Sequence, residues 1–340
     1  MSVPRYPMQP YPTSWYRVAD SADVVPGAVK GVHYFGRDLV VFRDERGAPV
    51  VADAHCPHLG ANLAVGGRIE DGALVCPFHS WRYDGTGRCV GIPYTDRIPQ
   101  QARLRTYPAC EVNGVVAVFY DELGRDPGWT VPQIPDYDST EHWTGHITKT
   151  WKIRTHLQEI FDNAADAAHQ QTLHAATEIL SYDAEPDGVY FRGQFTGTYD
   201  AGEGLPEQQA WSRNAYLHAG LGFSQIDSKL DYNGLVIDRQ IHSCFTPVDE
   251  EHIDFVMYQR TRRLDDDDLT ELIHQMTAQH TWRSIEEDIP IWENKVFRPL
   301  PSRAAFAGGA LPAHLCDKEG DIAKTRAWAR QFYTDAACGV

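Results

Sequence analysis

The sequence predicts an α+β protein in which a small antiparallel β domain precedes a larger domain that mixes helices with strands. From Trp15 to about Tyr120, short β-type runs alternate with turns of glycine, asparagine and aspartate. Beyond a stretch at 121–143 that contains several prolines, and that we interpret as a linker, segments rich in helix formers appear. A chain of 340 residues is long enough for two such domains.

The N-terminal part carries the signals of β-hairpins. In "VHYFGRDLVVFRDERGAPVVADAHC" one turn is predicted at 36–38 and the next at 44–47. "WRYDGTGRC" predicts a hairpin with Asp84-Gly85 at its tip. We therefore expect an antiparallel β domain over 14–120, preceded by a flexible N-terminal arm at 1–13.

The second domain, expected over 144–340, begins with a helical segment. "THLQEIFDNAADAAHQQTLHAATEIL" (155–180) has few breakers, so it is predicted to be helical over much of its length. "GVYFRGQFTGTYD" and "GLVIDRQIHSCFTPV" then predict strands. A long helix is expected from Leu269 to about Ile289, with the aspartates of "LDDDD" as its N-terminal capping residues. "IAKTRAWARQFY" (322–333) predicts a closing helix.

Composition excludes several classes of function. The net charge of −16, with no basic stripe, argues against a nucleic-acid partner. No apolar run approaches the roughly 18–20 residues of a membrane span. The seven cysteines do not form a disulfide framework, because two lie in motifs and the others are scattered singly. This pattern is typical of metal-binding thiolates in a reducing compartment, and we expect a cytoplasmic protein.

Two short motifs predict a first metal site. Cys56-x-His58 and Cys76-x-x-His79, which are separated by seventeen residues, offer two sulfur and two imidazole ligands on predicted hairpin loops. A structural zinc is the alternative, but zinc knuckles usually pair two cysteines, whereas here each motif carries one ligand of each type. The spacing favours a Rieske [2Fe–2S] centre, in which two histidines replace two cysteines on one iron. Neutral imidazoles leave such a cluster less negative, so it accepts an electron more easily.

A second metal site is predicted in "NAADAAHQQTLH". Asn163, Asp166 and His169 recur every three residues and would share one helix face. The five-residue step to His174 corresponds to about 140° on a regular helix, so both histidines can meet one metal only if the helix is distorted or ends between residues 170 and 173. For the carboxylate ligand we choose Asp288 in "SIEEDIPIWENK".

Two histidines and one carboxylate are the ligand set of non-haem Fe(II) oxygenases, which leaves coordination positions open. Taken alone, histidine and aspartate on a helix are more often surface residues. Together with the upstream motif, the two sites explain each other: the first supplies electrons that the iron at the second uses to reduce dioxygen. Asn163 is predicted either to hydrogen-bond near this iron or to have only a helix-surface or capping role.

At these residues the chain resembles the Rieske non-haem iron oxygenases, specifically their catalytic α component. The resemblance implies a Rieske domain followed by a helix-grip catalytic domain, which is an antiparallel sheet with helices. It also implies a homotrimer, in which Asp166 would bridge His79 of one subunit to His169 of the next. "DIPIWENKVFRP" and "RAWARQFY" are similar to the branch of 3-ketosteroid 9α-hydroxylases and cholesterol 7-desaturases, and "HLGANLAVGGRIEDGALVCPFHSWRYD" is similar to aminopyrrolnitrin oxygenase.

The expected activity is oxygenation or desaturation of a hydrophobic, steroid-like or polycyclic substrate. Electrons from NAD(P)H would arrive through a separate flavin-containing reductase, alone or with a ferredoxin. Oxidation of an aryl amine and removal of an O- or N-methyl group are alternatives within this class. A Rieske electron-transfer protein without oxygenase activity is the alternative from another class.

Overall fold

The structure is a computed structural model that describes residues 5–174, 176–200, 209–232, 234–300, 313–316 and 319–334. The chain divides into two units. The first unit comprises Thr13–Gln133 and Thr246–Glu250. The second contains the chain up to Pro12, Ile134–Phe245 and the residues from Glu251 onward. The short return of the chain to the first unit at 246–250 has no sequence signal.

The first unit is built from eleven short strands in three antiparallel sheets. The sheet orders are β1-β11-β10, β2-β3-β4-β9 and β5-β6-β7-β8. The strands are β1 (Ser14–Asp20), β2 (Lys30–Tyr34), β3 (Arg37–Arg43), β4 (Pro49–Asp53), β5 (Arg68–Glu70), β6 (Ala73–Val75), β7 (Arg82–Tyr83), β8 (Cys89–Gly91), β9 (Thr106–Tyr107), β10 (Ala109–Val112) and β11 (Val115–Tyr120), with a 3-10 turn at Ser21–Asp23.

Three of its hairpins are closed by two-residue turns in which both residues have positive φ. This is the geometry that matches the twist of paired strands, and glycine at the second position adopts it without strain. The φ angles lie between 48° and 72° in Phe35-Gly36, Asp71-Gly72 and Asn113-Gly114. The turn predicted at 36–38 therefore lies one residue earlier.

The core of the first unit surrounds the two motif cysteines. Cys56 and Cys76 belong to the same buried cluster as Phe42, Leu74 and Tyr83. The strands that carry this cluster are short, and the loops between them are held at both ends by side chains that pack in the cluster. The cysteine-bearing loops are thus anchored in the core.

In its described residues, the second unit is one seven-stranded antiparallel sheet with four helices. The strand order is β12-β18-β17-β16-β15-β14-β13. The elements are β12 (Ile147–Ile153), α1 (Leu157–Ala165), α2 (Ala167–Thr172), β13 (Ala176–Asp187), β14 (Tyr190–Asp200), β15 (Gln209–Ala219), β16 (Phe223–Tyr232), β17 (Leu235–Pro247), β18 (Ile253–Thr261), α3 (Asp267–Asn294) and α4 (Gly320–Ala329), with a 3-10 turn at Arg330–Phe332. The long helix α3 packs against β12 and β18.

The structure agrees with one sequence-based expectation about the helices and corrects two others. The segment at 155–180 is helical over much of its length, from Leu157 to Thr172 except at Asp166, and from Ala176 it is strand. The helix is interrupted at Asp166, whose φ and ψ of −89° and 94° are extended, so Asn163, Asp166 and His169 do not share the face of one continuous helix. The long helix does not end at its proline: Pro290 lies inside α3, which continues to Asn294.

A buried ion pair joins α1 to α4. Arg326 donates from Nε and Nη2 to Asp162 Oδ2 at 2.9 and 2.6 Å. Asp162 also accepts from Gln158 Nε2 at 2.9 Å. The Asp162 and Arg326 side chains are only 4% and 7% exposed. Because each charge is enclosed, neither has solvent as a substitute partner.

The N-terminal arm, predicted to be flexible, lies against the second unit over residues 5–12. Tyr6 and Met8 are buried, and Arg5 donates to the carbonyl oxygens of Arg154, Trp292 and Lys295. The first four residues of the predicted arm are outside the described residues. The described part of the arm therefore covers the end of α3 rather than projecting from the unit.

Replacing Arg326 by alanine should destabilise the second unit by about 3–5 kcal/mol, because Asp162 would stay buried without a counter-charge. The free energy of unfolding can be measured by urea denaturation followed by tryptophan fluorescence. Arg192→Ala is the control, since Arg192 and Asp187 form a pair whose side chains are 56% and 65% exposed; it should cost less than about 1 kcal/mol. Equal losses in the two variants would contradict the assignment.

Candidate metal centres and cavity

The loops that carry the two Cys/His motifs have the same backbone hydrogen bonds. In each, the cysteine N–H donates to the carbonyl five residues later, and the cysteine carbonyl accepts from the N–H four residues later, at 2.9–3.0 Å. The fourth residue after the cysteine is left-handed in both loops, with φ of 77° at Gly60 and 55° at Ser80. The two motifs thus adopt one turn geometry twice.

This geometry directs the sulfurs inward and the imidazoles outward. Cys56 and Cys76 are 2% and 1% exposed, whereas His58 and His79 are half-buried. The two imidazole centroids are 4.7 Å apart, and Cys56 Sγ lies 3.0 Å from the hydroxyl of Tyr83. Burial raises the pKa of the Cys56 thiol, and the Tyr83 hydrogen bond opposes that effect.

The donor set of this site fits a [2Fe–2S] cluster. Nδ1 of His79 is buried and has no hydrogen-bond partner among the described residues. A buried ring nitrogen without a partner is costly unless it ligates a metal or binds water. Two thiols on the inner side and two imidazoles on the outer side are the ligands that a Rieske centre requires.

In the second unit, His169, His174 and Asp288 converge. One ligand atom from each side chain lies within 4.8 Å of the others. His174 and Asp288 are buried, and His169 is half-buried. The two histidines come together because α2 ends at Thr172, with Leu173 as its C-cap, so the chain leaves the helix before it reaches His174.

Hydrogen bonds to the far side of each imidazole orient the two rings. The backbone carbonyl of Asp166 accepts from Nδ1 of His169. Glu287 Oε2 lies 3.0 Å from Nδ1 of His174, which leaves His174 Nε2 facing Asp288 Oδ1 at 3.3 Å. Partners of this kind set the tautomer and raise the basicity of metal-ligating histidines. No signal in the sequence points to this orienting contact of Glu287.

Asp288 and Asn163 complete the group. Oδ1 of Asp288 is buried and makes no hydrogen bond with any described residue. Its Oδ2 accepts from Asn163 Nδ2 at 3.2 Å, and the same nitrogen lies 3.2 Å from His169 Nε2. Asn163 is therefore placed beside the convergent side chains rather than on the outer surface of α1. Two imidazoles and a carboxylate with an unpartnered buried oxygen fit a divalent metal ion.

The two histidines differ in their electrostatics without a metal. Burial lowers the pKa of His169, and the nearby carboxylates of Asp288 and Asp166 only partly offset this effect. For His174 burial acts in the same direction, but the adjacent carboxylates of Asp288 and Glu287 outweigh it and raise the pKa. A neutral imidazole is the form that binds metal.

A cavity of about 490 Å³ lies next to this group. His174, Asp166 and Gln170 border it at one end. Its floor is one face of β14–β17, where cross-strand neighbours form rows, and its wall includes part of α3. Most of the lining is apolar or aromatic, with Phe195, Ile226, Leu230, Tyr232, Ile241 and Met276 among its members.

Comparison with known proteins identifies the family. A model of the Rieske [2Fe–2S] domain matches residues 14–108, and a model of the 3-ketosteroid 9alpha-hydroxylase C-terminal domain matches residues 118–333. The chain is a Rieske oxygenase. It belongs to the group that includes the steroid 9α-hydroxylases, and the predicted family, fold class and enzyme class are confirmed.

Relatives of known activity cover most of this chain. It is 30% identical to cholesterol 7-desaturase nvd 1 of Ciona intestinalis over 96% of this chain and 69% of that protein. It is 32% identical to cholesterol 7-desaturase nvd of Xenopus laevis over 96% and 72%. The oxygenase component of 3-ketosteroid-9-alpha-monooxygenase from Rhodococcus rhodochrous is 29% identical over 94% and 80%.

Solved structures show the same fold at lower sequence identity. Dicamba monooxygenase bound to dicamba superposes with a TM-score of 0.70 at 19% identity, covering 94% of this chain and 96% of that one. Within the part of the chain that the structure describes, no helix has both the length and the apolar character needed to cross a membrane.

Proposed function

We propose that this Rieske oxygenase uses O₂ and electrons from NAD(P)H to hydroxylate or desaturate a hydrophobic, steroid-like substrate. A separate flavin-containing reductase, alone or with a ferredoxin, would deliver the electrons. The observation that carries the proposal is the convergence of His169, His174 and Asp288 at the end of a largely apolar cavity. The desaturase and hydroxylase relatives, whose names specify cholesterol and 3-ketosteroids, support the substrate class.

In this proposal Cys56, His58, Cys76 and His79 hold the Rieske cluster, and His169, His174 and Asp288 hold a mononuclear Fe(II). When bound, the cluster supplies single electrons and the ferrous ion binds and reduces dioxygen. An electron carrier without oxygenase activity would need neither the three convergent side chains nor the adjoining cavity. Among the described residues, no contact specifically favours aryl-amine oxidation or demethylation over steroid oxidation.

The chain's own residues prepare the site for this chemistry. Asp166, through its carbonyl, and Glu287, through its carboxylate, hold the imidazoles with Nε2 toward the metal position. Asn163 donates to the Asp288 oxygen that is not required as a ligand and so limits rotation of that carboxylate. The apolar lining orients a hydrophobic substrate and excludes bulk water, which protects the oxidant from side reactions.

We further propose that the enzyme works as a homotrimer in which Asp166 links the two metal centres of neighbouring subunits. Two exposed apolar side chains beside the motif histidines support a docking role for the cluster end of the first unit. Leu59 and Phe78 are 66% and 62% exposed, and each is adjacent in sequence to a motif histidine. Apolar residues at this exposure are typical of a surface that another protein covers. The Asp166 side chain is 25% exposed, so its carboxylate is accessible to a partner.

Turnover with a reconstituted reductase tests the activity. Anaerobically purified enzyme should contain the two irons of the cluster and one further iron per chain. With NADH, reductase and a panel of steroids, aryl amines and methoxy-arenes, we expect oxygen uptake that depends on a steroid and a product that has gained one oxygen atom or lost two hydrogen atoms. A cluster that is reduced normally, in a protein that lacks the third iron and consumes no oxygen with any substrate, would establish the electron-carrier alternative.

Glu287→Ala should weaken Fe(II) binding at the mononuclear site by about 10–100-fold, because His174 loses the partner that orients its ring. Competition with a chelator measures this affinity, and the cluster signal in electron paramagnetic resonance should not change. Glu286→Ala is the matched control, since the Glu286 carboxylate is 48% exposed and pairs with Lys149 instead. If both variants bind iron equally well, Glu287 has no role in holding the ligand set.

Asp166→Asn should slow electron transfer to the mononuclear site at least tenfold while both metal centres stay loaded. Asparagine caps a helix about as well as aspartate, so the variant removes the charge but retains the hydrogen bonds to the N–H groups of Ala168 and His169. The rate of cluster oxidation after rapid mixing with O₂ and substrate is the measurement. Asp187→Asn on β13 is the control. A wild-type rate in Asp166→Asn would exclude a bridging carboxylate.

A further inference from the structure

Arg239 is a buried cation in the floor of the cavity. It lies on β17 opposite Ser228 of β16, and Ser228 in turn lies opposite Asn214 of β15. Its residue exposure is 8%, and it lines the same cavity as His174. These side chains form a polar row across a floor that is otherwise largely apolar.

Not every nitrogen of the Arg239 guanidinium has a hydrogen-bond acceptor among the described residues. Nη2 donates to the Ser228 hydroxyl at 2.7 Å, and Nη1 donates to the Thr281 hydroxyl at 3.3 Å. Nε is buried and has no hydrogen-bond partner among the described residues. Within the described ranges, no carboxylate lies at ion-pair distance from this guanidinium. Both hydroxyl partners are neutral, so none of the described residues compensates the charge of Arg239.

The other two buried arginines of the described chain show what compensation looks like. Arg326 forms the ion pair with Asp162. Arg260 donates to the side-chain oxygen of Gln240 and to three backbone carbonyl oxygens. A guanidinium removed from water needs such acceptors, because its five N–H donors cannot lose their proton at ordinary pH. Of these three buried arginines, only Arg239 borders the cavity, and among the described residues it donates to no carboxylate and to no backbone carbonyl oxygen.

We propose that Arg239 binds an oxyanion of the substrate, a carboxylate or a sulfate, at the end of the cavity away from the metal-binding side chains. The proposal rests on the proposed function, since it assigns the substrate class of the same cavity. Two oxygens of a carboxylate or of a sulfate can accept two parallel hydrogen bonds from a guanidinium, and in a buried site this contact is both strong and directional. Burial lowers the pKa of Arg239 to about 10, so the side chain remains charged at neutral pH.

Helix α3 indicates how far the Arg239 guanidinium lies from the metal-binding side chains. Thr281, which contacts Arg239, precedes Asp288 by seven residues on the same helix. At 1.5 Å per residue the two positions are separated by on the order of 10 Å, and seven residues are nearly two full turns, so they share one face. The substrate oxyanion would therefore lie on the order of 10 Å from the oxidised carbon. A fused-ring skeleton with an acidic side chain spans this distance, whereas a single aromatic ring does not.

The test compares three ligands that share one steroid skeleton: a side-chain carboxylic acid, its methyl ester and the corresponding side-chain sulfate. Binding to the metal-loaded enzyme is measured by equilibrium dialysis without reductase, so the result does not depend on turnover. The wild type should bind the acid at least tenfold more tightly than the ester, because the ester cannot neutralise Arg239. Equal binding of sulfate and acid would indicate recognition of charge, and preference for the acid would indicate recognition of a carboxylate; both outcomes support the proposal.

Variants then assign the preference to this residue. Arg239→Gln should remove the preference for the acid while the affinity for the ester changes little, and Arg239→Lys should restore part of it. Arg213→Gln is the control and should behave as wild type, since Arg213 is an exposed arginine on β15, two strands away from β17. Wild-type enzyme that binds the ester as tightly as the acid would overturn the proposal without any variant. Turnover of neutral steroids with no preference for acids would overturn it and leave the proposed oxygenase activity intact.

Discussion

The interruption of the helix at Asp166 is the constraint on which the second unit's metal-binding geometry depends. A continuous helix would place His169 and His174 about 140° apart around its axis. Instead, the extended backbone of Asp166 starts a new helix, and its carboxylate caps that helix through the N–H groups of Ala168 and His169. Its carbonyl orients the His169 ring. Because α2 then ends after six residues, His174 returns toward the first ring.

Helix α3 supplies the opposite side of the same cavity. Asp288 faces the two histidines, and the preceding residue, Glu287, holds one of them from behind. Two turns earlier, the hydroxyl of Thr281 contacts Arg239. One rigid element therefore fixes the distance between the metal-binding end and the cationic end of the cavity. A substrate held at both ends has little freedom to slide, which is the condition for selective attack at one carbon.

Local signals explain which features could be predicted from the sequence. The spacing of cysteine and histidine predicts the two loops, and the residue pattern predicts the strands and the long helix. A metal site shared by His169 and His174 requires the helix to end between them, and α2 does end at Thr172. The break at Asp166 was missed because the surrounding alanines favour a continuous helix. The predicted end of the long helix near Ile289 is wrong, because α3 continues past Pro290 to Asn294. A single arginine in a strand has no pattern, so the position of Arg239 emerges only from strand register and burial.

The two units shield their metal-binding side chains from solvent to different degrees, and the difference matches the proposed roles of the two centres. An electron donor must bring its ligands close to a protein surface, and His58 and His79 are half-buried beside the exposed side chains of Leu59 and Phe78. A centre that reduces oxygen must exclude water, and Asp288 is only 3% exposed. A neutral steroid would cover Arg239 without supplying an acceptor for its charge. An anionic one would lose its own hydration but satisfy the guanidinium, so the same burial that protects the oxidant also discriminates between substrates by charge.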